Sequence, residues 1–431
     1  MKPVESKDTL PESIIRDPKL APSGTLKIDW VKAHMPVLAA VAADSRRRAG
    51  GPPLAGSRVA ACLHLEAKTA NLLMTLRDLG AEVVACGSNP LSTQDDVVAA
   101  LATEPGITVF AWHDCTPEEY HDFLRRTVMT GADIIIDDGA DLVTVLHTEF
   151  PELVARVRGA AEETTTGLIR FKAMEQAGVL CFPVLAVNDT PMKRIFDNKF
   201  GTGQSTWDAI LRTTNLTIAG RTVVVVGYGF CGRGVAQRAA GLGARVVVVE
   251  IEPVAANEAL MEGYRVMSMK DAAKVGDIFV TTTGCCDAIR SEHIALMADR
   301  AILANAGHFN VEINLDDLRA ACTGPPRRVR PNIDEYATSD GRRLYLLGEG
   351  RLVNLAAGDG HPTEVMDLSF ALQALAALHV AGGGVEGAGG RVIPLPARLD
   401  QQVARLRLES LGVQIEELTP EQHAYLQKWQ V

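Results

Sequence analysis

A chain of 431 residues exceeds what a single hydrophobic core usually organises, so two or more domains are expected. Apolar residues make up 47% and charged residues 22%, the balance of a compact soluble protein rather than a disordered or membrane-embedded one. The formal charge of −10 comes without a basic block, which argues against nucleic acid or an anionic membrane as a main partner.

The N-terminal run MKPVESKDTLPESIIRD is polar and acidic and lacks the apolar stretch of a signal peptide. RVAACLHL reads as a strand, AKTANLLMTLRDLG as a helix stopped by Gly80, and AEVVACG as the next strand, together a βαβ unit. ADIIIDDGAD is a strand ending in carboxylates, and GVLCFPVLAVND one ending in polar groups. Open parallel sheets bind ligands at the carboxyl ends of their strands. His64 with its neighbours, Asp138, and Asn188 with Asp189 all stand at such ends.

A second nucleus begins near Arg221. RTVVVVGYGFCGRGVAQRAAGLGARVVVVEIEP holds a strand, Gly227, Gly229 and Gly232, a helix, and a second strand closed by Glu250. In that context G-x-G-x-x-G predicts a dinucleotide site, where the glycines admit a pyrophosphate and the acid accepts from ribose hydroxyls. An acid there repels a 2′-phosphate, so the cofactor expected is NAD rather than NADP. Glycines serving only tight helix–strand packing are the alternative.

Further βα units follow in DIFVTTTGCCD and RAILANAGHFN. Val365 to Val385 is apolar but interrupted by Asp367, Ser369, Gln373 and His379, which predicts a buried helix rather than a membrane span. From about Pro394 the chain is amphipathic and too short for its own core, so it should pack on something, another subunit included. The eight cysteines form no C-x-x-C pair, which predicts reduced thiols in a cytosolic protein and no metal centre.

Several blocks closely resemble S-adenosylhomocysteine hydrolases. These are EETTTG, the segment from Asn188 through KRIFDN to GTGQS, GYGFCGRG, NAGHFNVEI and GEGRLVNLAAGDGHPTEVMDLSFA, in the family's order from about Lys27 to the C-terminus. The resemblance implies two doubly wound α/β, Rossmann-like domains and a small helical tail. Residues 1–190 would be the first part of a substrate-binding domain and 200–350 an NAD-binding domain. Residues 355–393 would return to the substrate domain, and 394–431 would be an oligomerisation tail. It also implies a cytoplasmic homotetramer and redox-neutral thioether hydrolysis. In that reaction NAD oxidises C3′, the C4′ proton becomes acidic, homocysteine leaves C5′, water adds, and the hydride returns to C3′.

By resemblance, Lys193 and Asp197 remove the 3′-hydroxyl proton, and His64, Asp138 and His308 do acid–base work around C4′ and the C5′ substituent. Glu163 holds ribose hydroxyls, Thr164, Thr165 and Thr166 reach the cofactor, and Asn198, Asn305 and Asn354 are cofactor contacts. His361 lies on a segment that closes over the base. On residue chemistry alone, Lys193 and Asp197 are an ordinary helical ion pair and EETTT a solvated helix start. His34, His113, His121, His147, His293, His379 and His423 are read as structural.

The sequence departs from the family at Thr202, where a cysteine is common, and at QKWQV, which lacks the usual lysine- and tyrosine-bearing tail. It also departs at Glu66 and Lys68, beside Thr69, where members carry a threonine and then a glutamate or glutamine facing the purine. Lysine only donates and carboxylate only accepts, which suits the O6 acceptor and N1 proton of hypoxanthine. That polarity resembles the archaeal-type branch acting on S-inosylhomocysteine. The alternative is that Glu66 and Lys68 pair with each other at a helix N-terminus. A simple NAD-dependent dehydrogenase and a non-catalytic NAD or nucleoside binder are the competing functions.

Overall fold

The computed structural model describes residues 10–429, so the first nine residues of the N-terminal run and the last two of QKWQV lie outside it. Among the described residues, fifteen strands, numbered in chain order, make two sheets. The first holds β1 (Arg58–Leu63), β2 (Glu82–Gly87), β3 (Ile107–Phe110), β4 (Ile134–Asp137), β5 (Gly159–Glu162), β6 (Val184–Ala186) and, from far downstream, β15 (Val392–Pro394). Its order is β3-β2-β1-β4-β5-β6-β15, parallel throughout. Val59, Ala61 and Leu63 enter one core while Ala60 and Cys62 enter the core on the other face. Burial on both faces is why β1 reads as an unbroken apolar run.

The second sheet holds β7 (Thr222–Val226), β8 (Arg245–Val249), β9 (Arg265–Val266), β10 (Ile278–Thr281), β11 (Ile302–Asn305), β12 (Arg327–Arg330), β13 (Ile333–Ala337) and β14 (Arg343–Leu347). Its order is β9-β8-β7-β10-β11-β14-β13-β12, with only the β14–β13 and β13–β12 pairs antiparallel. Each sheet reverses its winding between its first and fourth strands, β1 beside β4 and β7 beside β10. At those switch points a crevice opens at the carboxyl ends. His64 and Asp138 follow β1 and β4; Gly227 and Thr282 follow β7 and β10.

After the second sheet the chain returns through the helix Thr363–Ala381. By length and composition this helix could cross a membrane, but 67% of its apolar window is buried inside the protein, where it packs on the helix Pro36–Ala49. Asp367 caps that partner, accepting from Val37 N at 2.9 Å and Leu38 N at 2.7 Å. The helix Ala397–Ser410 also packs on its own chain: Leu399 and Val403 join the first core, and Asp400 accepts from Met192 N at 3.0 Å. Only residues 409–429 of the expected tail are exposed throughout. The second sheet is thus inserted within the first unit, and the chain crosses between them at 190–202 and 352–362.

Candidate active site

The first crossing has an unusual turn. Arg194–Gly201 is π-helical, directly after Lys193. A regular turn would bring only residue i+4 beneath the lysine; the widened turn brings i+5 as well. Lys193 Nζ accordingly donates to Asp197 Oδ1 at 2.8 Å and to Asn198 Oδ1 at 2.9 Å. Lys193 is 4% exposed and Asp197 2%, so this is no surface ion pair. Burial opposes both charges, but the carboxylates of Asp197 and Glu163 hold the ammonium well above its ordinary pKa. Lys193 and His361 in turn hold Asp197 below the usual carboxylate range, against its own burial. Ser369 donates to Asp197 Oδ2 at 2.7 Å.

Glu163, just past β5, lies with Oε1 3.2 Å from Lys193 Nζ and accepts from Gln373 Nε2 at 2.6 Å. Burial pushes its pKa up to about 7, opposed by Lys193. Gln373 Oε1 is buried without a hydrogen-bond partner, whereas Glu163 Oε1 has the Lys193 ion pair. Glu163 lines the cavity, where its carboxylate suits a ligand carrying hydroxyl donors, and the fully buried Gln373 holds it from behind.

Across the cavity, Asp138 stands between two histidines: His64 Nε2 lies 3.1 Å from Oδ2 and His308 Nδ1 3.6 Å from Oδ1. Gly139 follows at φ +97°, and a Cβ there would meet His308 Nε2 at 2.5 Å, so both turn and approach require glycine. His64 Nδ1 lies 2.7 Å from Ser92 Oγ, whose own proton goes to the Asn89 carbonyl at 3.0 Å. Nδ1 thus faces a hydroxyl and Nε2 faces the Asp138 carboxylate, two polar partners between which the ring can pass a proton. Burial lowers the His64 pKa to about 4, Asp138 pulling the other way. The imidazole is neutral at pH 7 and available as a base. One ligand atom from each of His64, Asp138 and His308 falls within 4.8 Å of the others, a spacing that could hold a metal ion, although no metal was expected.

Glu66 caps the helix Ala67–Asp78, accepting from Lys68 N at 3.0 Å and Thr69 N at 3.3 Å. Lys68 Nζ lies 2.8 Å from Glu66 Oε2 and donates to the Asp359 carbonyl at 2.8 Å. Thr69 Oγ1 donates to the His64 carbonyl at 2.6 Å, tying the helix start to the strand end. Glu66 and Lys68 do pair at a helix N-terminus, yet they also line the cavity. His361 stands beside Asp197, Nδ1 at 3.3 Å from Oδ1, with Nε2 3.2 Å from Thr202 Oγ1. His361 thus joins the Lys193–Asp197 pair from the 352–362 crossing, and Thr202 puts a hydroxyl beside it.

These groups share one cavity of about 1020 Å³ with the switch point of the second sheet. There Gly232 has no room for a Cβ, which would sit 2.0 Å from the Gly227 carbonyl, whereas Gly229 faces open space. Backbone N–H groups of the helix Phe230–Gly241 open onto that space, a cradle suited to a pyrophosphate. Glu250 closes β8 and accepts from Tyr228 N at 2.6 Å. Thr164, Thr165, Thr166 and Asn198 line the cavity, as does Asn354, whose buried Oδ1 has no partner. The cradle and the orphaned acceptor fit a nicotinamide dinucleotide.

Two models from one family match the chain: S-adenosyl-L-homocysteine hydrolase over residues 12–150 and its NAD-binding domain over residues 198–360. The adenosylhomocysteinase of Thermococcus kodakarensis is 56% identical, over 98% of this chain and 99% of its own. The chain belongs to the S-adenosyl-L-homocysteine hydrolase family. Its relatives carry two names: the Methanopyrus kandleri protein, an S-inosyl-L-homocysteine hydrolase, is 54% identical over 97% of this chain and 98% of its own. The protein of the same name from Methanocaldococcus jannaschii is 52% identical over 96% and 98%. As in the rest of the family, the cofactor of this hydrolase is NAD.

Asn305, expected as a cofactor contact, spends its side chain on the protein itself. Its Oδ1 accepts from Thr281 Oγ1 and Gly307 N, its Nδ2 donates to the Gly307, Phe309 and Gly350 carbonyls, and it does not line the cavity. It braces the loop that carries His308. Ser92, Ser369 and Gln373 went unread in the sequence because each meets its partner from 28 to 210 residues away. His293, read as structural, lines the cofactor end of the cavity.

Proposed function

We propose that this hydrolase cleaves the thioether of an S-nucleosyl-L-homocysteine, S-adenosyl-L-homocysteine giving adenosine and L-homocysteine, by a reversible redox-neutral route. The observation that carries the reading is the single cavity in which Lys193–Asp197 faces His64–Asp138–His308 beside the dinucleotide cradle. NAD, when bound, supplies a hydride acceptor for C3′ of the sugar and returns the hydride at the end. Glu163, oriented by Gln373 and Lys193, holds the ribose hydroxyls. Asp197, kept ionised by Lys193 and His361, receives the 3′-hydroxyl proton. With C3′ at the carbonyl level the neighbouring C4′ proton is acidic, and the neutral His64, relayed through Asp138, is placed to take it. His308 lies on the other side of Asp138, suited to protonating the departing homocysteine sulfur and to activating the incoming water. A plain dehydrogenase has no use for this second acid–base group. The spacing that could hold a metal is that of two acid–base histidines sharing one carboxylate.

For the base, a second reading has its own support. Glu66 already accepts from Lys68 N, Thr69 N and Lys68 Nζ, so its acceptor capacity is largely spent. Lys68 has given two of its three protons, to Glu66 and to the Asp359 carbonyl, and the third is free to donate. A spare donor suits O6 of hypoxanthine better than the amino group of adenine, which supports S-inosyl-L-homocysteine as the preferred substrate. Parallel kcat/KM measurements with both thioethers, quantifying homocysteine and nucleoside, decide between them. A clear preference for the adenosyl compound rejects the inosyl reading; release of no homocysteine from either rejects the hydrolase assignment.

We further propose a cytoplasmic homotetramer. Leu411, Val413, Ile415, Leu418, Leu426 and Trp429 of the tail are all exposed, which supports coverage by another copy. Sedimentation of the full chain tests it.

A further inference from the structure

The loop after β10 carries two adjacent cysteines, Cys285 and Cys286, both exposed and both lining the cofactor end of the cavity. The loop is firmly held. Glu312 accepts from Thr283 N at 2.7 Å and Gly284 N at 2.8 Å, Cys285 N donates to Thr283 Oγ1 at 3.1 Å, and Asn314 Nδ2 donates to Asp287 Oδ1 at 2.8 Å. Gly284 at φ +67° and Asp287 at φ +54° turn the backbone on either side. The two thiols are thus fixed at the switch point between β7 and β10, where a dinucleotide lies across the sheet. The other exposed cysteine, Cys181, does not line this cavity.

We propose that Cys285 is a site of reversible S-thiolation by low-molecular-weight disulfides, and that the modification and NAD exclude each other. The Cys285 thiolate attacks one sulfur of R–S–S–R. That S–S bond breaks, a Cys285–S–S–R bond forms, and R–S⁻ leaves and takes up the proton that Cys285 gave. The protein sulfur is oxidised and the leaving sulfur reduced, so the exchange needs no other reagent. Cys286 does not resolve the product easily: neighbouring Cα atoms are about 3.8 Å apart across a trans peptide, below the span that a disulfide prefers. Cys285 follows the Gly284 turn that Glu312 holds and its own N–H is tied to Thr283 Oγ1, whereas Cys286 adjoins the Asp287 carboxylate, which disfavours a thiolate there; Cys285 is the attacking sulfur. The mixed disulfide then persists until an external thiol removes it, and the added group occupies space that the cofactor needs. The free thiol released by the proposed thioether hydrolysis is a reductant of this class; the inference itself rests on the cofactor half of the cavity and not on the substrate reading.

The test uses bis(2-hydroxyethyl) disulfide on the full chain, NAD-loaded and NAD-stripped, with modified residues quantified by mass spectrometry and NAD affinity by calorimetry. Saturating NAD is expected to slow Cys285 modification by about ten-fold or more, the free-site fraction at ten times Kd, and to leave Cys181 unchanged as an internal control. Thiolated protein is expected to lose NAD affinity and regain it with dithiothreitol. Treatment leaves C285S at its own starting affinity, while C286S stays sensitive. Equal Cys285 rates with and without NAD, unchanged NAD affinity after modification, or reaction at Cys181 alone would each overturn the proposal.

Discussion

Asp137 and Glu162 are register partners at the carboxyl ends of the neighbouring parallel strands β4 and β5, and each is followed by the acid that faces the cavity. The inner acids turn back on the backbone. Asp137 accepts from Asp138 N at 3.0 Å and Val143 N at 2.9 Å, and Glu162 Oε1 accepts from Gly139 N and Thr164 N, both at 2.9 Å. Burial pushes the Asp137 pKa up to about 7 and that of Glu162 well above its ordinary value. Glu162 thus joins the loop of Asp138 to the strand end of Glu163 through one shared acceptor oxygen.

Glu162→Ala leaves two buried N–H groups unpaired and is expected to cost about 2–4 kcal/mol of stability, with kcat falling further than KM changes. Glu162→Gln keeps the acceptor and should retain most activity. Equal losses in both variants, in kcat and in thermal midpoint, would mean that the ionisable group itself matters.

Lys193→Met removes the charge that keeps Asp197 ionised, and kcat is expected to fall by about 10²–10⁴-fold. The loss should lie in the first step. Mixing the NAD-loaded variant with nucleoside should give no rapid rise in reduced-nicotinamide absorbance, whereas a rise at the normal rate would move Lys193 to a later step.

His64 has a folded pKa of about 4 against an ordinary value near 6.5. Between these values the unfolded chain binds the proton that the folded site refuses. The neutral imidazole therefore contributes fully above about pH 6.5, and at most about 3 kcal/mol is lost as pH falls towards 4. An NMR titration of the His64 ring should show a midpoint near 4, lower still in Asp138→Asn, where the carboxylate that favours the proton is gone. A midpoint near 6.5 would put His64 in a wetter site.

Lys68→Gln exchanges a pure donor for a group that both donates and accepts. The ratio of inosyl to adenosyl kcat/KM is expected to drop by about 10- to 100-fold, with rapid nicotinamide reduction preserved. An unchanged ratio would remove Lys68 from base recognition.

Much of this arrangement was legible in the residues because it is local. β1, β7 and β10 announce themselves as apolar runs ended by polar or glycine-rich turns, and Gly227, Gly229, Gly232 and Glu250 lie within one βαβ unit. β5 went unread because Gly159–Glu162 has no β-branched residue; neighbouring strands make it a strand. The π-turn after Lys193 has no sequence period to betray it, so the four-residue spacing to Asp197 was visible and the five-residue contact to Asn198 was not. The partners of Asp197 and Glu163 on the helix Thr363–Ala381 required knowing that the chain returns.

That return also makes the cofactor unit a transferable cassette. A segment cut within Asp189–Thr190 and again within His361–Pro362 carries away Lys193, Asp197, Asn198, His308, Asn354 and His361, and leaves His64, Glu66, Lys68, Asp138 and Glu163 behind. Chimeras of two relatives joined at those seams would pair one parent's hydride machinery with the other's purine pocket. Base choice should then follow the outer parent except through Asp359, whose carbonyl reaches Lys68 from the cassette side.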